Sequence, residues 1–219
     1  MQRPNEPIEL ILHHDVLCGW CALADLRLRI LKEELGETIR IDYQPFAIHL
    51  EDRRPTRREI QTESSALRKV AKERETQGFG ADLWRGDDPP RSSLPPLVAL
   101  EAARIIGGVG ARDRLLFAMR SAAFRHGLNI SREDVLIELA DRLGLDTGRF
   151  TTALGAQGTR KLVMDQHDRA SFRGIVSVPT LVIGGEWLVS GAQSLEEYRR
   201  MIRNFGEENG LLLRDRMVH

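Results

Sequence analysis

The chain has 219 residues, with Lys plus Arg and Asp plus Glu at 32 each, a formal net charge of zero and two cysteines. That length suits one well-buried domain, or a small domain carrying a large insertion. The balanced charge leaves no footprint for nucleic acid or an anionic membrane, and no run of about eighteen apolar residues is present to span a bilayer. The opening MQRPNEPIEL lacks the apolar core and small-residue cleavage site of a secretory leader, so the expected address is cytoplasmic.

Ile8 to His14 (IELILHH) is apolar enough for a buried strand, and Ala22 to Leu35 (ALADLRLRILKEEL) has helical periodicity. Leu23, Leu26, Leu28, Ile30, Leu31 and Leu35 give that helix a broad apolar face, with Arg27, Lys32, Glu33 and Glu34 opposite. Between strand and helix lies Cys18-Gly19-Trp20-Cys21, which holds both cysteines of the chain. Free N–H groups and the macrodipole at a helix start favour a thiolate, the nucleophile of disulfide exchange. Cys18, at the exposed start, is the expected attacker; Cys21, one turn in on the same side, is placed to resolve the mixed disulfide.

The competing readings are half of a zinc site, a structural disulfide, or inert core thiols. Zinc would need a second Cys or His pair, and His13 and His14, as adjacent strand residues, point to opposite faces, one inward and one outward. So short a structural bridge would stabilise little. A cytoplasmic setting keeps structural thiols reduced, which favours redox chemistry for a C-x-x-C beside a β-α-β pattern. Asp15, just before the motif, reads as a turn former or helix cap, with proton relay as the alternative.

Thr38 to Ala47 alternates Ile39, Ile41 and Tyr43 against Arg40, Asp42 and Gln44, the period of a half-buried strand. From Glu51 to about Gly174 the pattern is helical. The charges of Glu51 to Glu75 mix both signs, as on a solvated helix face. Gln77 to Pro96 gathers Gly, Pro and Ser around Phe79, Leu83 and Trp84, either as a linker or as a loop whose aromatics cover something. Leu97 to Ile106, Ala111 to Arg125, Ser131 to Leu143 and Phe150 to Leu154 read as successive helices, with Ser131 and Asp134 as a capping box. Gly107-Gly108-Val109-Gly110 follows a helical pattern with no strand before it, so it reads as a helix stop rather than a phosphate loop.

Thr180 to Ile183, a Gly184-Gly185 turn and Glu186 to Val189 read as a hairpin, followed by a helix from Ser194 to Asn204 opened by Ser194 and Glu197. From Gly206 a loosely held tail is expected. Val178-Pro179 precedes the hairpin; a proline there marks a strand's first residue or an edge, with trans the default and cis the alternative.

The assembled pattern resembles the DsbA-like branch of the thioredoxin superfamily, and within it the FrnE-like dithiol oxidoreductases. Their relatives include 2-hydroxychromene-2-carboxylate isomerases and kappa-class glutathione transferases. The resemblance runs from Glu9 to about Asn204 and rests on Asp15-x-x-Cys18-x-Trp20-Cys21, Gly174-x-x-x-Val178-Pro179-Thr180 and Val189-Ser190-Gly191-Ala192-Gln193. It implies an α/β thioredoxin-like fold (β-α-β … β-β-α) with residues 1–50 and 174–206 as core, 51–173 as an all-helical insertion and 207–219 as a C-terminal tail. It further implies that Pro179 is a cis-proline lying against the disulfide, that Val178 offers its backbone to an extended substrate segment, and that Trp20 contributes to substrate binding. Two departures stand out: Gly19 and Ala22 replace the proline and aromatic of many relatives, and Trp20 replaces the histidine of DsbA. Without that positive charge the couple is expected to be less oxidising than DsbA at roughly −120 mV.

The implied activity is thiol–disulfide exchange through Cys18 and Cys21, with no metal and no cofactor beyond the redox-active disulfide; glutathione is a candidate co-substrate. Expected partners are thiol- or disulfide-containing proteins or small molecules. The family's tendency toward dimers makes a homodimer an expectation that no uncovered apolar stripe supports. The alternative is a glutathione-dependent isomerase or transferase, whose members place serine at the first cysteine position and need no second thiol. A third reading is a redox-regulated binding protein that uses the helical insertion as a partner surface.

Overall fold

The structure, a computed structural model, describes residues 6–80 and 82–211. Strands β1 (Ile8–His14) and β2 (Ile39–Pro45) run parallel, joined by helix α1 (Gly19–Leu35), the crossover that parallel pairing requires. The chain then forms α2 (Arg57–Val70), the single turn α3 (Asp82–Arg85), α4 (Leu94–His126), α5 (Glu133–Arg142), α6 (Thr147–Gly155) and α7 (Gln157–Phe172). It returns as the antiparallel hairpin β3 (Thr180–Ile183) and β4 (Trp187–Ser190), and closes on α8 (Leu195–Glu208). β3 pairs antiparallel with β1, giving one mixed sheet in the order β2-β1-β3-β4. This is the thioredoxin-like fold with a large helical insertion between its halves.

In chain order the helices are an insertion, yet they share the sheet's core. Leu10, Leu12, Leu181 and Ile183 pack in one cluster with Leu28 and Leu31 of α1 and with Leu97, Leu115, Met119 and Phe124 of α4. The residues around Phe79 are anchored rather than free: Leu83 and Trp84 are buried in that cluster, and Phe79 lies against Phe124 at 5.2 Å. The opposite sheet face is covered by Phe46, Ala170 and Ile175, with Val178 and Val182 beside them. Both faces at the end of β1 are therefore closed, and His13 and His14 are both buried, contrary to the expectation of one outward ring.

Several sequence expectations change in detail. The glycines at 107–110 break the helix without ending it: Gly108, at φ 75°, kinks α4, which a side chain at that φ would resist. By length and composition α4 could cross a membrane, but 56% of its apolar window is buried in the fold, as in a core helix. Ser131 is not a cap. Its hydroxyl donates to the Ser92 carbonyl, Asp134 pairs with Arg132, and Arg132 occupies the cap position of α5. Ser194 and Glu197 do form the capping box of α8. That helix runs through Gly206 to Glu208, and the buried Leu211 continues the packing; residues 212–219 of the expected tail lie outside the described residues.

Candidate active site

The loop leaving β1 is held by a fully buried carboxylate. Asp15 Oδ1 accepts the Leu17 N–H and Oδ2 accepts the Ile48 N–H, each at 2.8 Å, while the Phe46 N–H donates to the His14 carbonyl at 2.9 Å. Asp15 thus clamps the segment before α1 to the segment after β2. Burial raises its carboxyl pKa, and the two N–H donors and Ser93 pull the other way. Replacing Asp15 with Asn turns an amide NH2 toward one of those donors. The expected loss is about 1–3 kcal/mol in urea unfolding, and a loss far below that range refutes the clamp.

The clamp delivers Cys18 to the cap position of α1 in an extended conformation (φ −85°, ψ 113°), where its sulfur accepts the Cys21 N–H at 3.4 Å. The cap is therefore Cys18 itself and not Asp15. Both cysteines are free thiols; Cys18 retains 7% exposure and Cys21 none. Trp20 is half-buried between them. Burial and the neighbouring Cys18 push the Cys21 thiol well above its ordinary value, opposed by the Asp15 N–H and by Arg120.

Across from the helix start, the Cys18 sulfur faces the Val178 carbonyl oxygen at 3.9 Å, and the Val178–Pro179 peptide bond is cis. The next turn secures this strand start: the Gly191 N–H donates to the Pro179 carbonyl at 2.8 Å, and the Tyr198 hydroxyl donates to the Gly191 carbonyl at 3.3 Å. Arg27 donates to the Gln193 carbonyl at 2.8 Å and pairs with Glu73 and Glu75. Arg27 is thus buried rather than solvated, and the acids that answer it come from the segment that follows α2.

The sequence reading missed a polar cluster behind Cys21. Asp25, buried in α1, accepts from Arg120 and Arg29 and from the Tyr43 hydroxyl, and Arg120 Nη2 lies 3.3 Å from His14 Nδ1. The available signal was an aspartate among the apolar positions of α1. Among the described residues no three His, Cys, Asp or Glu side chains gather to hold a metal.

The histidines set a pH dependence. Burial, then Arg120 and Arg112, push His14 well below its ordinary value, and burial with Arg173 lowers His13. As pH falls through about 6.5 the unfolded chain binds protons that the folded chain refuses, so stability falls, by up to about 1.4 kcal/mol per pH unit for each histidine. Glu63 raises His49, which contributes stability at low pH that is lost only as pH rises through its raised value. Asp15, also raised, opposes the loss at the acid end. The difference in urea stability between the wild type and His14→Phe, followed across this window, is expected to isolate one histidine's slope; identical slopes refute the assignment.

A family model of the DSBA-like thioredoxin domain matches residues 9–203, nearly the whole described chain. The chain belongs to the DSBA-like thioredoxin domain family. Two curated relatives are ClpXP adapter proteins SpxH, from Halalkalibacterium halodurans (30% identical over 191 residues, 83% of this chain) and Bacillus subtilis (28% over 182 residues, 82% of this chain). The DSBA-like chain spans only 60% and 59% of the length of those relatives. Among solved structures, a candidate protein disulfide isomerase from Nitrosomonas europaea superposes with a TM-score of 0.79 at 16% identity, covering 94% of this chain and 100% of its own. The cytosolic disulfide reductase DsbM from Pseudomonas aeruginosa, solved with GSH, gives 0.68 at 23%, covering 92% and 98%. A 2-hydroxychromene-2-carboxylate isomerase gives 0.67 at 16%, with the same coverages. These likenesses establish the shared DSBA-like fold.

Proposed function

We propose that the chain is an FrnE-like dithiol oxidoreductase whose redox pair is Cys18 and Cys21. The observation that carries this is the placing of the Cys18 sulfur, which caps α1, accepts the Cys21 N–H and faces the Val178 carbonyl. In the reducing direction the Cys18 thiolate attacks one sulfur of a substrate disulfide; a mixed disulfide forms and the first substrate thiolate leaves. Cys21, having lost its proton, then attacks the Cys18 sulfur. The Cys18–Cys21 disulfide forms, the second substrate thiolate leaves, and two electrons have passed from protein to substrate. The reverse sequence oxidises a dithiol substrate.

Val178 supplies backbone to an extended substrate segment in this reading, with Pro179, which has no N–H, and Trp20 beside the sulfurs. Val176, 85% exposed two residues before Val178, and Phe172, 95% exposed, offer apolar surface suited to a protein substrate. Glutathione as a co-substrate and a cytoplasmic address are supported by the P. aeruginosa neighbour, a cytosolic reductase solved with GSH. Equilibration with glutathione redox buffers tests the reading. A two-electron couple more reducing than about −120 mV is expected, with turnover of a model disulfide; failure to exchange two electrons refutes the dithiol mechanism.

A binding role is the second reading, favoured by the adapter function in the names of both curated relatives. It predicts reversible oxidation without turnover. The isomerase reading shares only the fold, and Cys21 has no task in it.

A further inference from the structure

We infer that Arg120 is a positioning residue for the cysteine pair: a buried cation of α4, paired with Asp25 one turn beyond Cys21, that stabilises the negative charge arising on the Cys21 sulfur when it resolves the mixed disulfide. This rests on the oxidoreductase reading. It answers a difficulty that the reading creates, since resolution needs a thiolate and Cys21 is wholly buried. Burial alone would hold that thiol neutral.

Asp25 follows Cys21 by one helical turn on α1 and so lies on the same face. It holds the Arg120 guanidinium in an ion pair whose side chains are 3% and 5% exposed. Ala22, Asp25, Leu26 and Arg120 line one small cleft, so Arg120 reaches α1 at the turn that follows Cys21. Arg120 Nη2 lies at His14 Nδ1, and Nε is buried without a hydrogen-bond partner. His14, lowered by burial and by the arginines, is neutral and adds no charge. Tyr198, which Cys21 also influences, is pushed up to about 12 by burial and stays neutral as well, while Asp15, whose N–H meets Cys21, carries a buried carboxyl that burial raises.

One carboxylate, Asp25, serves two guanidiniums, the buried one of Arg120 and the partly exposed one of Arg29. The wider network is neutral, because Asp42 and Asp113 flank Arg112 toward solvent and Asp113 also acts on Arg29. Asp25 therefore divides its charge between Arg120 and Arg29, and the Arg120 cation is only partly answered. In a medium of low dielectric a partly answered cation favours a nearby anion, and the Arg120 charge acts to lower the Cys21 pKa. When Cys21 loses its proton to solvent, its thiolate becomes a second counter-charge for Arg120. As it bonds to the Cys18 sulfur, the charge passes to the leaving thiolate.

The test uses the reduced protein and the aromatic disulfide dithiobis(nitrobenzoate), followed by stopped-flow absorbance. Cys18 releases one coloured thiolate in a first phase, and Cys21 releases the other in a second. Arg120→Met is expected to slow the second phase about tenfold and move its pH midpoint up, leaving the first phase within about twofold; Arg120→Lys restores the second phase. Asp25→Asn, which keeps the cation and removes its anion, is expected to accelerate the second phase. A merely structural role predicts slowing in both variants, so the Asp25→Asn and Arg120→Lys results decide the matter even if Arg120→Met does not fold. An unchanged second phase in Arg120→Met, or a slowed one in Asp25→Asn, overturns the role of Arg120. A wild type with no second phase at all overturns the oxidoreductase reading instead.

Discussion

Replacing Cys18 with serine is expected to abolish exchange, whereas replacing Cys21 with serine is expected to preserve the first half-reaction and stop the second. The asymmetry follows from position. Cys18 keeps 7% exposure at the helix cap, and Cys21 has none, so a substrate disulfide can reach only Cys18. A serine hydroxyl is not ionised near neutral pH, and the partners of this position are the Val178 carbonyl and the Cys21 N–H, neither of them a base, so Cys18→Ser is expected to lose roughly a thousandfold or more of disulfide turnover. Cys21→Ser is expected to accumulate a covalent adduct on Cys18, visible as added mass that reducing agent removes. Which thiol is trapped also separates the readings: protein adducts favour an oxidoreductase, and a glutathione adduct with isomerase activity intact favours the alternative. A Cys21→Ser protein that turns over disulfides at the wild-type rate would refute the dithiol mechanism, and an adduct on Cys21 of Cys18→Ser would refute the order of attack.

The parts of this fold that could be read from the sequence are those whose cause is local. IELILHH reads as a strand because it buries both faces, and Ser194 with Glu197 reads as a helix start because the two caps satisfy each other within one turn. The cysteine pair was legible for the same reason: spacing, strand and helix all lie within residues 8–35. What escaped depends on distant partners. Arg27 looks like a solvated helix charge until Glu73, Glu75 and the Gln193 carbonyl surround it. Arg120 meets Asp25 across a separation of 95 residues, and no periodicity marks either for the other. Ser131 has the spacing of a cap, but the Ser92 carbonyl takes its hydroxyl. Local rules fail at such positions because side chains of similar propensity compete for long-range hydrogen bonds that only the assembled core reveals.

Adding a methyl group at Gly184 is expected to cost far more than adding one at Gly185, although both begin the same hairpin turn. Each has a positive φ, 59° and 77°, so either alanine carries the left-handed penalty of about 1–2 kcal/mol. Nothing lies within 4 Å of a Cβ at Gly185, whereas at Gly184 it would sit 1.9 Å from Phe205 Cζ and within 2.8 Å of two further ring atoms. Phe205 is 1% exposed and meets Trp187 edge-on at 5.6 Å, so the ring cannot swing into solvent. Overpacking adds about 1–3 kcal/mol, bringing Gly184→Ala to about 2–5 kcal/mol in urea unfolding. Trimming the obstacle should recover part of this: Gly184→Ala with Phe205→Leu is expected to show favourable coupling of about 1 kcal/mol or more. The damage reaches the cysteines because β3 begins directly after Pro179, and the Pro179 carbonyl is tied to Gly191 at the far end of the hairpin. A hairpin lifted off α8 carries the Val178 carbonyl away from the Cys18 sulfur, so exchange slows in Gly184→Ala and is nearly unchanged in Gly185→Ala. Equal stability losses at the two glycines would show that backbone strain, and not the Phe205 ring, sets the constraint.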